Sequence, residues 1–160
     1  AEVDDSGGVR LLPALAGVGA PWWASEARAV IAGLTAGARP AHIARAALEG
    51  IAWRVADVIE AVRRTVPVEV LRVDGGLTRD PTLLQLQADT TGVSVQRGAV
   101  DATVAGAAAL AAVGAGIWGS VHEIAERIPM GDRVEPVRDA EWRERTHGEW
   151  RQFVERAIVL

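Results

Sequence analysis

The stretch that most constrains the fold is residues 68–89. An apolar run, 68–73, ends at Asp74 and the pair Gly75-Gly76, and a helix start follows almost at once. Asp80 suits the N-cap and Pro81 the first helical position. The order is therefore strand, glycine turn, helix N-terminus. A ligand could lie against bare backbone at such a turn, near the helix's unpaired N–H groups and positive dipole end, a geometry that suits a nucleotide. Taken alone, the same pattern is equally a plain strand-to-helix connection of an α/β domain.

Around this unit the pattern alternates. Residues 9–15 read as a short strand after Gly7-Gly8. Gly17-Val18-Gly19-Ala20-Pro21-Trp22-Trp23 follows no helix or strand period and reads as a loop. Residues 26–31 are expected to form a short helix. Pro40 opens the strongest helix, 41–64, with Ile43, Ala47, Leu48, Ile51, Val55, Val58, Ile59 and Val62 on one face and Arg45, Glu49, Arg63 and Arg64 in water. Gly50 inside it costs roughly 1 kcal/mol against Ala, so it marks a close packing contact.

A helix over 82–91 stops at Gly92, and 93–96 is a further strand. Asp101 is expected to cap an alanine-rich helix whose small side chains suit either a tightly packed core or a hinge contact. A short helix covers 120–127. Residues 139–158 close the chain as an amphipathic helix anchored by Trp142, Trp150, Phe153, Val154 and Ala157. Strands alternating with helices argue for an α/β fold without internal repeat.

Composition removes several chemistries. With 160 residues, 49% hydrophobic, the chain suffices for one domain with a real core. A formal net charge of −4 without a basic run argues against nucleic acid as a partner. Cysteine is absent, which excludes disulfides and thiolate chemistry, and His42, His122 and His147 form no ligand-spaced pair. All 17 basic residues are Arg, so neither Schiff-base chemistry nor a Walker-type lysine is available. The apolar stretch 104–117 is too short to span a bilayer and no signal peptide is visible, so the chain is expected to be soluble and cytoplasmic.

Four segments, in order, resemble the C-terminal part of the FGGY carbohydrate kinases, most of all their glycerol-phosphorylating members. They are the 17–23 loop; Gly33-Leu34-Thr35 with residues 41–52; Leu71-Arg72-Val73-Asp74-Gly75-Gly76, similar to the family's adenosine motif; and residues 101–108, similar to its inter-lobe "connect" helix. The resemblance implies a domain over 1–160 that is a partial ribonuclease H-like lobe of the actin/hexokinase superfamily, lacking its first strands. Without them the strand near Val9 is expected to lack a neighbour, and open edges favour association, which leaves a homo-oligomer open.

The resemblance further implies ATP and Mg²⁺ as cofactors, with ATP or ADP lying over Gly75 and Gly76 beside Asp80. Asp80 stands where the family carries Asn, and a carboxylate cannot donate a hydrogen bond as an amide does. The acceptor, glycerol or a sugar such as a pentulose or gluconate, would be bound mainly by an upstream lobe. The family's catalytic Asp matches no residue here. Asp74, Asp80 and Asp89 read as cap, strand-end or surface groups, so no catalytic residue is named and the chain alone is expected to be inactive. A noncatalytic nucleotide-binding or oligomerisation module is the alternative of another class.

Overall fold

The computed structural model describes residues 2–99, 101–127 and 130–160. Two short strands, β1 (Arg10–Leu12) and β2 (Val30–Ala32), pair antiparallel with Leu11 opposite Ile31. This corrects two sequence expectations. Residues 26–31 form no helix, and the first strand has a neighbour. The reason is local: the Arg28 guanidinium donates hydrogen bonds to the carbonyls of Glu26 and Ala27, both 3.0 Å, occupying acceptors that a helix would use. The β-branched pair Val30-Ile31 then extends along β1.

The long helix α1 (Pro40–Arg63) begins as anticipated, with Pro40 in its first position and the Arg39 N–H donating to His42 Nδ1 at 3.0 Å. Its buried seam coincides only in part with the one the periodicity selects. Ala46, Gly50, Ala52, Trp53, Ala56 and Asp57 are buried together with Ile59 of the expected face, whereas Val58 and Val62 are each 38% exposed. The packing partner decides this. A Cβ on Gly50 would lie 2.2 Å from the Leu11 carbonyl oxygen, so β1 crosses α1 where only a glycine admits its backbone. The remaining flank, Ile51, Val55, Val58 and Ile59, faces Val18 and Leu71 across an apolar trough of about 580 Å³.

The second layer begins with β3 (Val70–Val73), passes through a 3-10 turn (Gly76–Arg79) into α2 (Pro81–Thr91), and returns as β4 (Ser94–Arg97), parallel to β3 with Val73 opposite Arg97. Parallel strands joined through a helix make this a βαβ unit, as the α/β reading requires. Gly92 ends α2 in the left-handed region, φ 65°. α2 is held from both sides. Leu83 and Leu86 pack with Ala52 of α1, while Leu84 and Ala88 pack with Val95 of the sheet. Each fully buried Leu contributes roughly 1.5–3 kcal/mol, which fixes the helix start against both layers.

α3 (Ala102–Gly114) departs from the tightly packed alternative. Of its residues Ala109 alone is buried, Val104 is 71% exposed, and a Cβ on Gly106 would meet nothing within 4 Å. Asp101 occupies the N-cap position but its side chain makes no capping bond. α4 (Val121–Arg127) follows, then β5 (Arg133–Val134), a two-residue strand antiparallel to β4 that periodicity did not reveal. α5 (Ala140–Ala157) starts at an Asp139 side chain accepting from Trp142 N at 2.8 Å. Its Trp150, Val154 and Ala157 join Leu12, Trp53 and Ala56 in the largest core. No described helix is long and apolar enough to cross a membrane.

Candidate functional site

The turn after β3 is built from its own backbone. Gly75 adopts φ 92°, ψ 175°, a conformation that L side chains rarely take. Its carbonyl then accepts both the N–H and the Oγ1 of the buried Thr78, at 3.1 and 2.7 Å. Asp80 N donates to the Leu77 carbonyl, and Asp80 Oδ1 accepts from Thr82 N at 2.8 Å. Beside the turn opens a recess of about 830 Å³, floored by Val3, Ala41, Ala44 and Leu48 and rimmed by Gly76, Arg79 and Asp80. Two of the three site residues named from sequence, Gly76 and Asp80, thus line one recess. Gly75 is outside its lining and shapes the turn. A Cβ on either glycine would meet nothing within 4 Å, so the space over Gly76 is open rather than packed.

The helix end differs from the sequence expectation of free N–H groups. Pro81 has no N–H, and Thr82 N is occupied by Asp80. What the start of α2 presents to the recess is a carboxylate, which disfavours an anion in that corner. The other carboxylates serve structure. Asp74 is an exposed strand-end residue. Asp89 is buried rather than on the surface, its Oδ1 accepting from Val137 N at 2.8 Å and from Gln85 at 3.1 Å. Among the described residues no three His, Asp or Glu groups converge as a metal site.

A second constellation was missed by sequence reasoning. Asp57, 3% exposed, accepts four donors: Trp22 Nε1 at 2.9 Å, Arg54 at 2.8 Å and Trp150 Nε1 at 3.1 Å on Oδ2, and His147 Nε2 at 2.8 Å on Oδ1. His147 also places Nδ1 3.2 Å from Glu60 Oε2 and stacks on Trp53 at 5.3 Å. Burial is the largest single influence on the Asp57 carboxyl and pushes its pKa up. The hydrogen bonds from His147, Trp22, Trp150 and Arg54 together outweigh it and hold the group below the ordinary carboxylate value. Through these bonds Asp57 clamps α1, α5 and the 17–24 loop. The available sequence signal was an Arg54–Asp57 pair at i,i+3 within α1.

Residues 1–115 match the model of the FGGY family of carbohydrate kinases, C-terminal domain. The chain belongs to the FGGY family. The match includes the glycine turn and all three residues of the recess rim, and it bears out the resemblance carried by the four motifs. Curated relatives extend over nearly the whole FGGY chain. It is 49% identical over 161 residues to a glycerol kinase of Rhodopirellula baltica, covering 98% of this chain and 30% of the relative. It is 46% identical over 158 residues to a glycerol kinase of Nitratidesulfovibrio vulgaris, covering 97% and 32%.

Among solved structures, glycerol kinase of Plasmodium falciparum with ADP superposes with a TM-score of 0.83 at 30% identity, over 98% of this chain and 32% of that one. Gluconate kinase of Lactobacillus acidophilus, 22% identical with a TM-score of 0.77 over 96% and 32%, shares the fold. The FGGY chain therefore spans about a third of the length of the relatives it matches. Its fold is that of a C-terminal FGGY lobe, present in part.

Proposed function

We propose that residues 1–160 form the nucleotide side of an ATP-dependent kinase whose acceptor is glycerol, the acceptor-binding and catalytic groups coming from polypeptide outside this stretch. The observation that carries the reading is the agreement of nearly the whole chain with a glycerol kinase solved with ADP, together with a glycine turn that borders an open, apolar-floored recess. In this reading adenosine lies over Gly76 in the recess. Gly75 holds the turn in its left-handed conformation, and Asp80 meets the base. Mg²⁺ would arrive on the nucleotide's phosphates, since phosphoryl transfer neutralises charge there. The identity with glycerol kinases favours glycerol over a sugar acceptor.

Calorimetric titration with ATP tests the site. Gly76→Val adds a side chain to open space and leaves the fold intact, so ATP affinity should fall at least tenfold with an unchanged circular dichroism spectrum, the change expected when a ligand surface is filled. Equal affinity in both proteins would remove the recess from consideration. For the reaction, phosphate transfer from ATP to glycerol should be undetectable with the 160-residue chain, because most of the acceleration comes from positioned groups on the other side of the cleft. Activity that co-purifies with the chain and is lost in Gly76→Val would overturn that division of labour.

A further inference from the structure

A second cavity, which the nucleotide reading leaves unused, lies along α1. About 380 Å³ in volume, it is enclosed by residues 4–11, α1, α2 and α5, and Arg45 is the one lining residue it shares with the recess beside the glycine turn. Its size falls at the small end of ligand pockets. Leu86, Trp53, Trp142 and Trp150 supply an apolar wall. That wall is held in place by its own stacking. Trp53 stacks on Trp142 at 5.8 Å and on His147 at 5.3 Å, and the Arg138 guanidinium lies over Trp142 at 5.5 Å.

Five carboxylates (Asp4, Asp5, Glu49, Asp89 and Glu149) line the cavity against three guanidinium groups. Two of the three are paired within the wall, Arg10 with Glu149 at 2.7 Å and Arg45 with Glu49 at 2.8 Å, and the third is the one over Trp142. Asp89 is the informative member. It is 6% exposed, and its Oδ1 accepts neutral donors only, the N–H groups of Val137 and Arg138 and the Gln85 amide. Oδ2 makes no hydrogen bond or ion pair among the described residues, and none of their fully enclosed side-chain oxygens lacks a partner. Oδ2 therefore keeps an opening, which the cavity supplies. A carboxylate oxygen left bare in a largely dehydrated wall is costly unless a cation meets it. Among the described residues no three His, Asp or Glu groups converge as a metal site would require. One charged acceptor beside an apolar wall suits an ammonium group on an apolar body. We infer that the cavity is a binding site for a small primary amine, with its ammonium group on Asp89 Oδ2 and its body against Leu86 and the tryptophans.

The experiment is an NMR titration of the 160-residue chain at pH 7 with phenethylamine, with 2-phenylethanol, where a hydroxyl replaces the ammonium group, and with 3-phenylpropanoate, where a carboxylate does. Phenethylamine should bind about tenfold more tightly than the alcohol, the effect of one hydrogen bond to a charged acceptor, with shifts at Asp89, Trp53 and Trp142. The carboxylate should bind most weakly. Asp89→Asn can keep its oxygen on Val137 N and Arg138 N, which leaves an NH₂ where Oδ2 stood, so the preference for the amine should fall to about one. Equal binding of amine and alcohol by the wild type would overturn the inference. So would a failure of the amine to bind, a preference for the carboxylate, or a tenfold preference for the amine that persists in Asp89→Asn. Potassium or magnesium chloride reproducing the shifts would overturn it in favour of an inorganic ion. Saturating ATP should leave phenethylamine binding unchanged, and competition between the two would overturn the separate site. If Asp89→Asn does not fold, the wild-type ratio of amine to alcohol decides.

Discussion

Replacing Asp57 by Asn keeps the side-chain volume and removes one charge, which isolates the electrostatics of the clamp from any cavity. Oδ2 accepts three donors at 2.8–3.1 Å, and Oδ1 accepts His147 at 2.8 Å. An amide oxygen in the Oδ2 position still faces Trp22, Arg54 and Trp150 but without its charge, while the NH₂ replaces Oδ1 and faces His147 Nε2, so one donor of that pair loses its acceptor. One buried donor left unsatisfied costs about 1–3 kcal/mol, and bonds to the neutral oxygen are weaker than bonds to a carboxylate. A loss of roughly 2–4 kcal/mol follows for Asp57→Asn. Asp57→Ala, which strands every donor, should cost about 3–5 kcal/mol. The assay is urea unfolding monitored by tryptophan fluorescence at pH 7.

The pH dependence supplies a second reading of the same experiment. The folded-state pKa of Asp57 is lowered from 3.8. Its contribution is therefore fully present above the unfolded value and is lost as the pH falls through the lower, folded one. Below about pH 4 the stability of the wild type should drop toward that of Asp57→Asn, and the gap between the two should close. A variant that unfolds at the wild-type urea midpoint at pH 7, or a gap that stays constant down to pH 2, would refute the clamp as described.

Three further outcomes are expected. Gly50→Ala would set a methyl group 2.2 Å from the Leu11 oxygen, so β1 must move and stability should fall by about 1–3 kcal/mol in a urea titration. Gly92→Ala forces a side chain into φ 65° and against the Arg143 guanidinium at 2.7 Å; a loss of about 1–2 kcal/mol is expected, measured as a lower Tm. Asp80→Ala deletes the cap of α2 and should cost about 1 kcal/mol in the same assay, which Asp80→Asn should largely avoid.

How much was legible in the sequence depended on how local the deciding interactions are. The unit from β3 to α2 was read correctly because Gly75, Pro81 and Gly92 act through their own backbone and Asp80 bonds the N–H only two residues on. The strands β2 and β5 escaped because they are short and are created by their partners, β1 and β4. The buried seam of α1 was placed only in part for a related reason: Ile59 is buried as expected, but Val58 and Val62 are exposed. Periodicity ranks side chains by hydrophobicity, whereas β1 crosses where Gly50 is smallest. At the site, Gly76 and Asp80 fall on one recess, while Gly75 lies outside its lining. The loss of free N–H groups at α2 follows from Pro81 and the Asp80 capping bond together, each of which the sequence offered singly.

Asp57 also dictates an order of events. Trp150, its partner on α5, lies 93 residues further along the chain, and His147 lies 90. α1 emerges before α5 during synthesis, so its buried carboxylate lacks two of its four donors and gains them only after the whole βαβ unit has been made. The 17–24 loop, anchored through Trp22, shares that delay. Long-range closure of this kind is slow compared with helix formation. The N-terminal third of the chain is thus left provisional until its last helix docks, and it is the part a chaperone or a protease would meet in an unfinished state.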